Sequence, residues 1–412
     1  MSTRVSSMLA LAMVMAAASA QAESLPSQAE MWKMIKQQQK EIQALKDQLN
    51  QTKQTVATVQ SKTEEHQVQI AEVKKEAPAA PESKAEKAPS WTDRITLSGA
   101  VEVEAFSMKD FARNRTSDIN LATAELGLEM KINDWVKSKV VLLYEDPSTD
   151  PINLDHGTIT LGNAEKTPFY FTTGLMTVPF GVFNTNMISD PLPLNLAENK
   201  REGTVLLGFE KDGFYGSVYA FNGSVNKGSD AIHQGGGQLG YKLDKDGLKL
   251  DVGVDYTNSL DDSDGLTNFV QAYSAPSTIP EHAAAVGVHG MVQYAGVTAI
   301  GEYIAAQDTL QLGPAVWNGR RAKPRAWQTE LGYTFEMMEK ETTVSVGWQG
   351  SDQAFDAALA IPEDRKMCAI KVGIFENTTL GLEYARDKDY PVANGGTNNS
   401  AHTTTGQLAV SF

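Results

Sequence analysis

From Ile95 onward, apolar side chains recur at every second residue. ITLSGAVEVEAF sets Ile95, Leu97, Val101 and Val103 on one face, with Thr96, Ser98, Glu102 and Glu104 on the other. LATAELGLEMK places Ala122, Ala124, Leu126, Leu128 and Met130 opposite Thr123, Glu125 and Glu129. LKLDVGVDY sets Leu248, Leu250, Val252, Val254 and Tyr256 against Lys249, Asp251 and Asp255. In AWQTELGYTF, Trp327, Thr329, Leu331, Tyr333 and Phe335 oppose Gln328, Glu330 and Thr334. A period of two is the strand period, and such amphipathic strands suit a one-sided soluble sheet or a membrane barrel. VVLLY (Val140 to Tyr144) is apolar on both parities, so its pattern assigns no face.

The connections separate the two architectures. Short turns of three to five residues recur at 131–134, 162–166, 210–213, 244–247, 294–296, 337–340 and 376–378. Between them lie long polar links near 107–117, 146–152, 179–202, 222–235, 258–282, 307–325, 350–365 and 387–402. Short and long alternate throughout, which predicts about sixteen strands with eight long links and seven short turns. An even strand number with tight turns at one end and longer loops at the other is the pattern of an outer-membrane barrel. Aromatics bracket the strands. Phe106, Tyr144, Phe221, Tyr256, Tyr303, Trp348 and Tyr384 lie near the long-loop ends, and Phe209, Phe214, Tyr241, Tyr294, Phe335 and Phe412 near the short-turn ends. The expected fold class is all-β, a transmembrane antiparallel β-barrel of about 16 strands preceded by an α-helical coiled-coil segment. The last residues, TTTGQLAVSF, alternate up to Phe412 and are expected to close the barrel against the first strand.

Ahead of the barrel the period changes. Arg4, an apolar run from Met8 to Ala20 and the small-x-small Ala20-Gln21-Ala22 read as a signal peptide over 1–22. Residues 23–76 form the expected periplasmic coiled coil, with Ile35, Ile42, Leu49, Val56 and Ile70 seven residues apart and Thr63 filling the gap. Such a helix extends about 65 Å at ~1.5 Å per residue. A Pro/Ala-rich linker follows over 77–92, and the barrel occupies 93–412.

Composition narrows the function. A net charge of −15 excludes nucleic acid as an expected partner, and the single cysteine, Cys368, forms no internal disulfide. Sixteen strands close around an aqueous channel, so the polar parity faces water: Glu102, Glu104, Glu125, Glu129, Lys137 and Lys139 are lumen candidates, as are Lys249, Asp251, Glu330 and Glu383. The link 179–202 carries Pro179, Pro191 and Pro193 and apolar side chains at Val182, Phe183, Ile188, Leu192, Leu194 and Leu196, unlike a solvated external loop. It is expected to fold inward, so that Asn184, Asn186, Asp190, Asn195, Glu198, Lys200 and Arg201 line a constriction. No cofactor, metal or catalytic set is expected. The six histidines are scattered, His289 alone being placed as a conceivable lumen base, and SLDDSDG lacks the oxygen spacing and closing Glu of a calcium loop.

ITLSGAVEVEA, DINLATAELGLEMKINDWVKSKVVLLYED, TPFYFTTGLMTVPFGVFNTNMISDPLPLNLAE and GFEKDGFYGSVYAFNG resemble the LbtU-type siderophore-porin family. The resemblance is close from Ile95 to about Gly223 and follows only the pattern thereafter. It implies an outer-membrane barrel of about sixteen strands that admits iron-chelate complexes or similar small solutes. The expected activity is therefore passive or substrate-selective diffusion through a Gram-negative outer membrane. Expected partners are outer-membrane lipid and lipopolysaccharide, two further copies in a homotrimer, and the assembly machinery that reads a last strand ending in Phe412. Two alternatives stand beside it: a structural porin tethered to the cell wall through its coiled coil, and a barrel-embedded hydrolase.

Overall fold

The computed structural model describes residues 91–412 apart from 147–148, 200, 228–230, 268–277, 312–315, 318–319 and 355–360. These belong to the compact unit Lys87–Phe412. The expected signal peptide and coiled coil, and the linker up to residue 90, lie outside the described residues, as does Lys200.

A short 3-10 turn, Trp91–Arg94, leads into β1 (Ile95–Lys109), β2 (Arg115–Lys131), β3 (Val136–Glu145), β4 (Thr149–Gly162) and β5 (Phe169–Met176). A six-residue helix, α1 (Leu192–Ala197), interrupts the strands before β6 (Glu202–Lys211) and β7 (Phe214–Asn222). Then come β8 (Gln234–Lys245), β9 (Leu248–Thr257), β10 (Ala285–Tyr294), β11 (Val297–Ala306) and β12 (Arg325–Met337). The last four are β13 (Lys340–Asp352), β14 (Asp364–Phe375), β15 (Thr378–Lys388) and β16 (Ser400–Ser411). These sixteen strands form one closed barrel, each antiparallel to its sequence neighbours and β16 paired with β1. Closure gives every strand two partners, so no edge is left to lipid.

The tight turns have a conformational cause. Asp212-Gly213 and Asp246-Gly247 both hold positive φ (53° and 85°, 53° and 78°). That is the two-residue hairpin turn whose twist matches the flanking strands. The alternation then sorts the side chains. Leu97, Val101 and Val103 on β1, Val252 and Val254 on β9, and Leu408 and Val410 on β16 are exposed on the outer face. Glu302, Gln328, Glu330, Gln349 and Glu383, on the opposite parity of β11, β12, β13 and β15, are buried inside. This inverts a soluble protein, as lipid solvates the apolar face.

Several details differ from the sequence reading. The first two links are short, 110–114 between β1 and β2 and 146–148 between β3 and β4, because β1, β2 and β4 run to 15, 17 and 14 residues and take up positions that read as loop. Phe106 and Phe221 do not join the outer aromatic girdle. Phe106 shares the inward parity of Glu102 and Glu104, while Phe221 is fully buried in an inner apolar cluster. Ala122 is a bulge residue: Glu102 pairs with Thr123 but Val103 with Leu121. The bulge switches parity, bringing Ile119 and Leu121 onto the outer face with Leu126. In VVLLY, Leu142 faces out while Val141 and Leu143 are buried on the inward parity of Lys137 and Lys139.

The long-loop end is not an open ring. Val178, Phe180, Leu192 and Leu196 pack with Phe221, Leu260, Ile304, Leu310 and Ile361 into one apolar core. Asp262 is buried beside it, accepting from the Val225 amide (2.7 Å) and the Ser259 hydroxyl (2.7 Å). Burial pushes its carboxyl above the usual range against the pull of those bonds.

Candidate functional site

Residues 177–199, between β5 and β6, leave the rim, and 182–190 run along the inside of the wall from β11 to β15. An extended segment crossing strands has no ladder of its own, so its amides need other acceptors. Inward carboxylates supply them. Glu302 on β11 accepts from the Val182 amide (2.8 Å) and the Phe183 amide (3.0 Å). Glu330 on β12 accepts from the Thr185 hydroxyl (2.7 Å) and the Asn186 amide (2.7 Å). Glu383 on β15 takes the Ile188 amide (2.5 Å), the Ser189 amide (3.2 Å) and the Ser189 hydroxyl (2.5 Å). Cations serve the carbonyls: Lys371 donates to the Met187 oxygen (2.7 Å) and Arg365 to that of Asp190 (3.2 Å). Gln349 then accepts from the Leu192 amide (3.0 Å), which starts α1 on its path back over β11 to β13.

The wall is shaped for this strap. A Cβ at Gly332 on β12 would meet the Asn186 amide group at 3.2 Å, and one at Gly381 on β15 would meet Ile188 Cδ1 at 3.0 Å. Gly347 on β13 is as close, with Met187 Cε 2.9 Å from the Cβ it lacks. Backbone strain lies at the entrance of the strap, where Gly181 holds φ 84° and Phe183 holds φ 56°.

The residues singled out from sequence separate into three groups. Asn184 and Asn186 turn toward the wall, Asn184 reaching Met291 Sδ at 3.9 Å and Asn186 lying over Gly332. Asp190 and Asn195 are exposed, whereas Glu198 is half-buried at the end of α1, its amide bonded to the Leu194 oxygen (2.9 Å). Arg201 is half-buried and pairs with Asp155 of β4 at 3.4 Å. Across the lumen, Glu102, Glu104 and Glu125 are half-buried and Glu129, Lys137 and Lys139 exposed. Lys137 lies 3.8 Å from Glu129, and Gln407 donates to Glu104 at 2.9 Å. Glu102, Glu383 and Asp190 all act electrostatically on Glu104. The wall of β1 to β3 is thus wet and charged, while that of β11 to β15 is covered.

Glu302, Gln349 and Lys371 escaped the sequence reading, and Gln328 was placed on a polar face without a role in the lumen. Their only local signal is inward parity, shared with every lumen residue. A second polar network lies on β7 to β10. Tyr215 Oη is 2.9 Å from both Asp251 Oδ1 and His289 Nε2, and His289 Nδ1 is 3.1 Å from Asp255. Lys242 sits 4.7 Å from the Tyr215 ring centroid. Two carboxylates and a phenol therefore hold His289 in the wall, in register with Glu302 on β11.

A closed barrel of sixteen antiparallel strands, with a long loop bonded to its inner wall, has the porin fold. Solved structures agree. The outer-membrane channel DcaP of Acinetobacter baumannii superposes with a TM-score of 0.52 at 14% identity, over 77% of this chain and 97% of that one. An anion-selective porin from Comamonas acidovorans gives 0.52 at 12% identity, covering 77% and 99%. Identities this low carry the fold alone. In sequence, the chain is similar to a UPF0422 protein of Legionella pneumophila, 30% identical over 356 residues. That match covers 77% of this chain, and the chain spans 66% of the length of the relative. No family profile matches the chain.

Proposed function

We propose that the protein is an outer-membrane porin that passes small hydrophilic solutes passively, with a preference for cations. One observation carries the reading: the strap covers the wall from β11 to β15 and leaves that of β1 to β3 charged and wet. Passage then runs between the strap and β1 to β3, where the exposed Asp190 of the strap acts electrostatically on Glu104 of β1. Carboxylates on both sides of a narrow aqueous path raise local cation concentration and repel anions. The charged lysines Lys137 and Lys139 lie further toward the short-turn end and are offset by Glu125 and Glu129.

Ferric chelates belong among the candidate permeants through the resemblance of residues 95–223 to the LbtU-type family. A homotrimer, a periplasmic coiled coil over 23–76 and recognition of the last strand by the assembly machinery complete the proposal. Planar-bilayer recording of the refolded full chain tests it. Steady conductance is expected, with a reversal potential on the cation side under a salt gradient, and Glu104→Gln with Asp190→Asn should shift that potential toward zero. A folded barrel that conducts no current sinks the proposal.

A further inference from the structure

Four permanent cations and a histidine stand on one line of the outer wall. Register pairs Arg115 on β2 with Lys109 on β1, and Lys109 with His402 on β16. It then pairs His402 with Arg386 on β15 and Arg386 with Lys366 on β14. All five lie on the outward parity of their strands, that of Val103, Leu121, Leu382 and Leu408. The line crosses five adjacent strands, roughly 19 Å at about 4.8 Å per strand. Toward the short-turn end, the next outward residue is small or polar-tipped, as with Ser107, Thr404 and Tyr384, and the apolar belt begins directly beyond it. The cations therefore sit at the long-loop border of the lipid-facing surface.

Among the described residues, one ion pair touches this line, at Lys366. Lys109 opposite Arg115 and Arg386 opposite Lys366 are like-charge pairs, an arrangement that costs stability in a sheet. Lys366 reaches Asp364 at 3.6 Å and lies 6.0 Å from the Trp348 ring centroid. Among the described residues, Lys109, Arg115 and Arg386 make no ion pair or side-chain hydrogen bond. Asp110, in the adjoining loop, turns both oxygens to Asn114 (2.7 and 3.0 Å). The line also occupies one arc only: at the corresponding border β4 presents Ile152 and Leu154, and β9 presents Tyr256.

We propose that this arc binds phosphate-bearing lipid of the outer leaflet, lipopolysaccharide being its source. This rests on the outer-membrane reading above. Each like-charge pair offers two adjacent cations to one phosphate, and the planar guanidiniums of Arg386 and Arg115 match its oxygens in bidentate fashion. The exposed rings of Trp348 and Tyr384 lie beside the cations at headgroup level. A second copy related by a two-fold axis through this line would set cations against cations.

The test uses the refolded full chain in phosphatidylcholine vesicles containing lipid A, dephosphorylated lipid A or neither, followed by extraction and assay of the lipid retained. Wild type is expected to retain lipid A and not its dephosphorylated form, with free inorganic phosphate failing to displace it. Lys366→Gln with Arg386→Gln, and the quadruple variant adding Lys109→Gln and Arg115→Gln, should lower retention stepwise, the latter at least about tenfold. The inward control Lys137→Gln with Lys139→Gln should leave it unchanged. Equal retention of the dephosphorylated lipid, unchanged retention by the folded double variant, or loss of an oligomer with lipid retention intact overturns the assignment. Conductance of the same preparations is read separately: a wild type that binds lipid A but passes no current defeats the porin reading and leaves this one standing.

Discussion

Glu383 takes three hydrogen bonds from two consecutive residues of the strap and is 2% exposed. Glu302 on β11 and Glu330 on β12 each take two from consecutive strap residues, so carboxylates replace the ladder the strap lacks. Hydrogen bonds to a charged acceptor contribute about 1.5–3 kcal/mol each, and a donor left unsatisfied in the wall costs about as much. Glu383→Gln turns an amide donor toward the Ile188 and Ser189 donors and removes the charge beside Lys371. Single-channel records of this variant should show added open-channel noise from a loosened strap, and its thermal unfolding midpoint should fall by a few degrees. Records as quiet as wild type would count against the strap as the wall of the path. The inward parity of Glu330 and Glu383 was legible in the period of two. Their partners were not, because the bonds join residues 145 and 194 positions apart. The same holds for Asn184 and Asn186, whose polarity suggested the lumen but whose side chains meet Met291 and Gly332.

At the scale of elements, the strap was visible as an anomaly: too many prolines and apolar side chains for a solvated loop. Its apolar residues enter the core of Leu260, Ile304 and Leu310, and Pro191 precedes α1. Replacing 182–190 by a Gly/Ser segment removes the cover of β11 to β15 and, apart from the Phe183 ring packed against it, spares that core. Conductance in a planar bilayer is then expected to rise about twofold or more, and cation preference to weaken with the loss of Asp190. An unchanged conductance would mean that the path is narrowest elsewhere. The hairpins were the most legible elements, because Asp-Gly at 212–213 and 246–247 states its turn type locally. The first two links were misjudged for the opposite reason. Polar residues such as Arg115, Ser117 and Asp118 read as loop, yet belong to a strand that continues beyond the apolar belt.

For the whole molecule, the decisive event is closure. Phe412 exchanges backbone hydrogen bonds with Gly99 (both 3.0 Å), and its ring occupies the space a Cβ on Gly99 would need, 2.6 Å from Cζ. That missing Cβ would also meet the Glu125 carbonyl at 2.8 Å, which no rotamer change relieves. Gly99→Val is therefore expected to strain the seam by about 1–3 kcal/mol. The temperature at which the barrel loses its compact form in gel electrophoresis should drop, and Gly290→Val, whose Cβ meets only Val252 Cγ1 at 3.7 Å, should leave it unchanged. The sequence alone determined the strands, the faces of those with a clean alternation, and the even number that brings the last beside the first. Each of these follows from a local period, with water on one side of the wall and lipid on the other. Only the tertiary structure decided which side of the lumen the strap covers, which carboxylates hold it, and that five basic residues far apart in the chain share one line. Those features depend on register between strands and on contacts across a closed ring, and neither is written in any short stretch of residues.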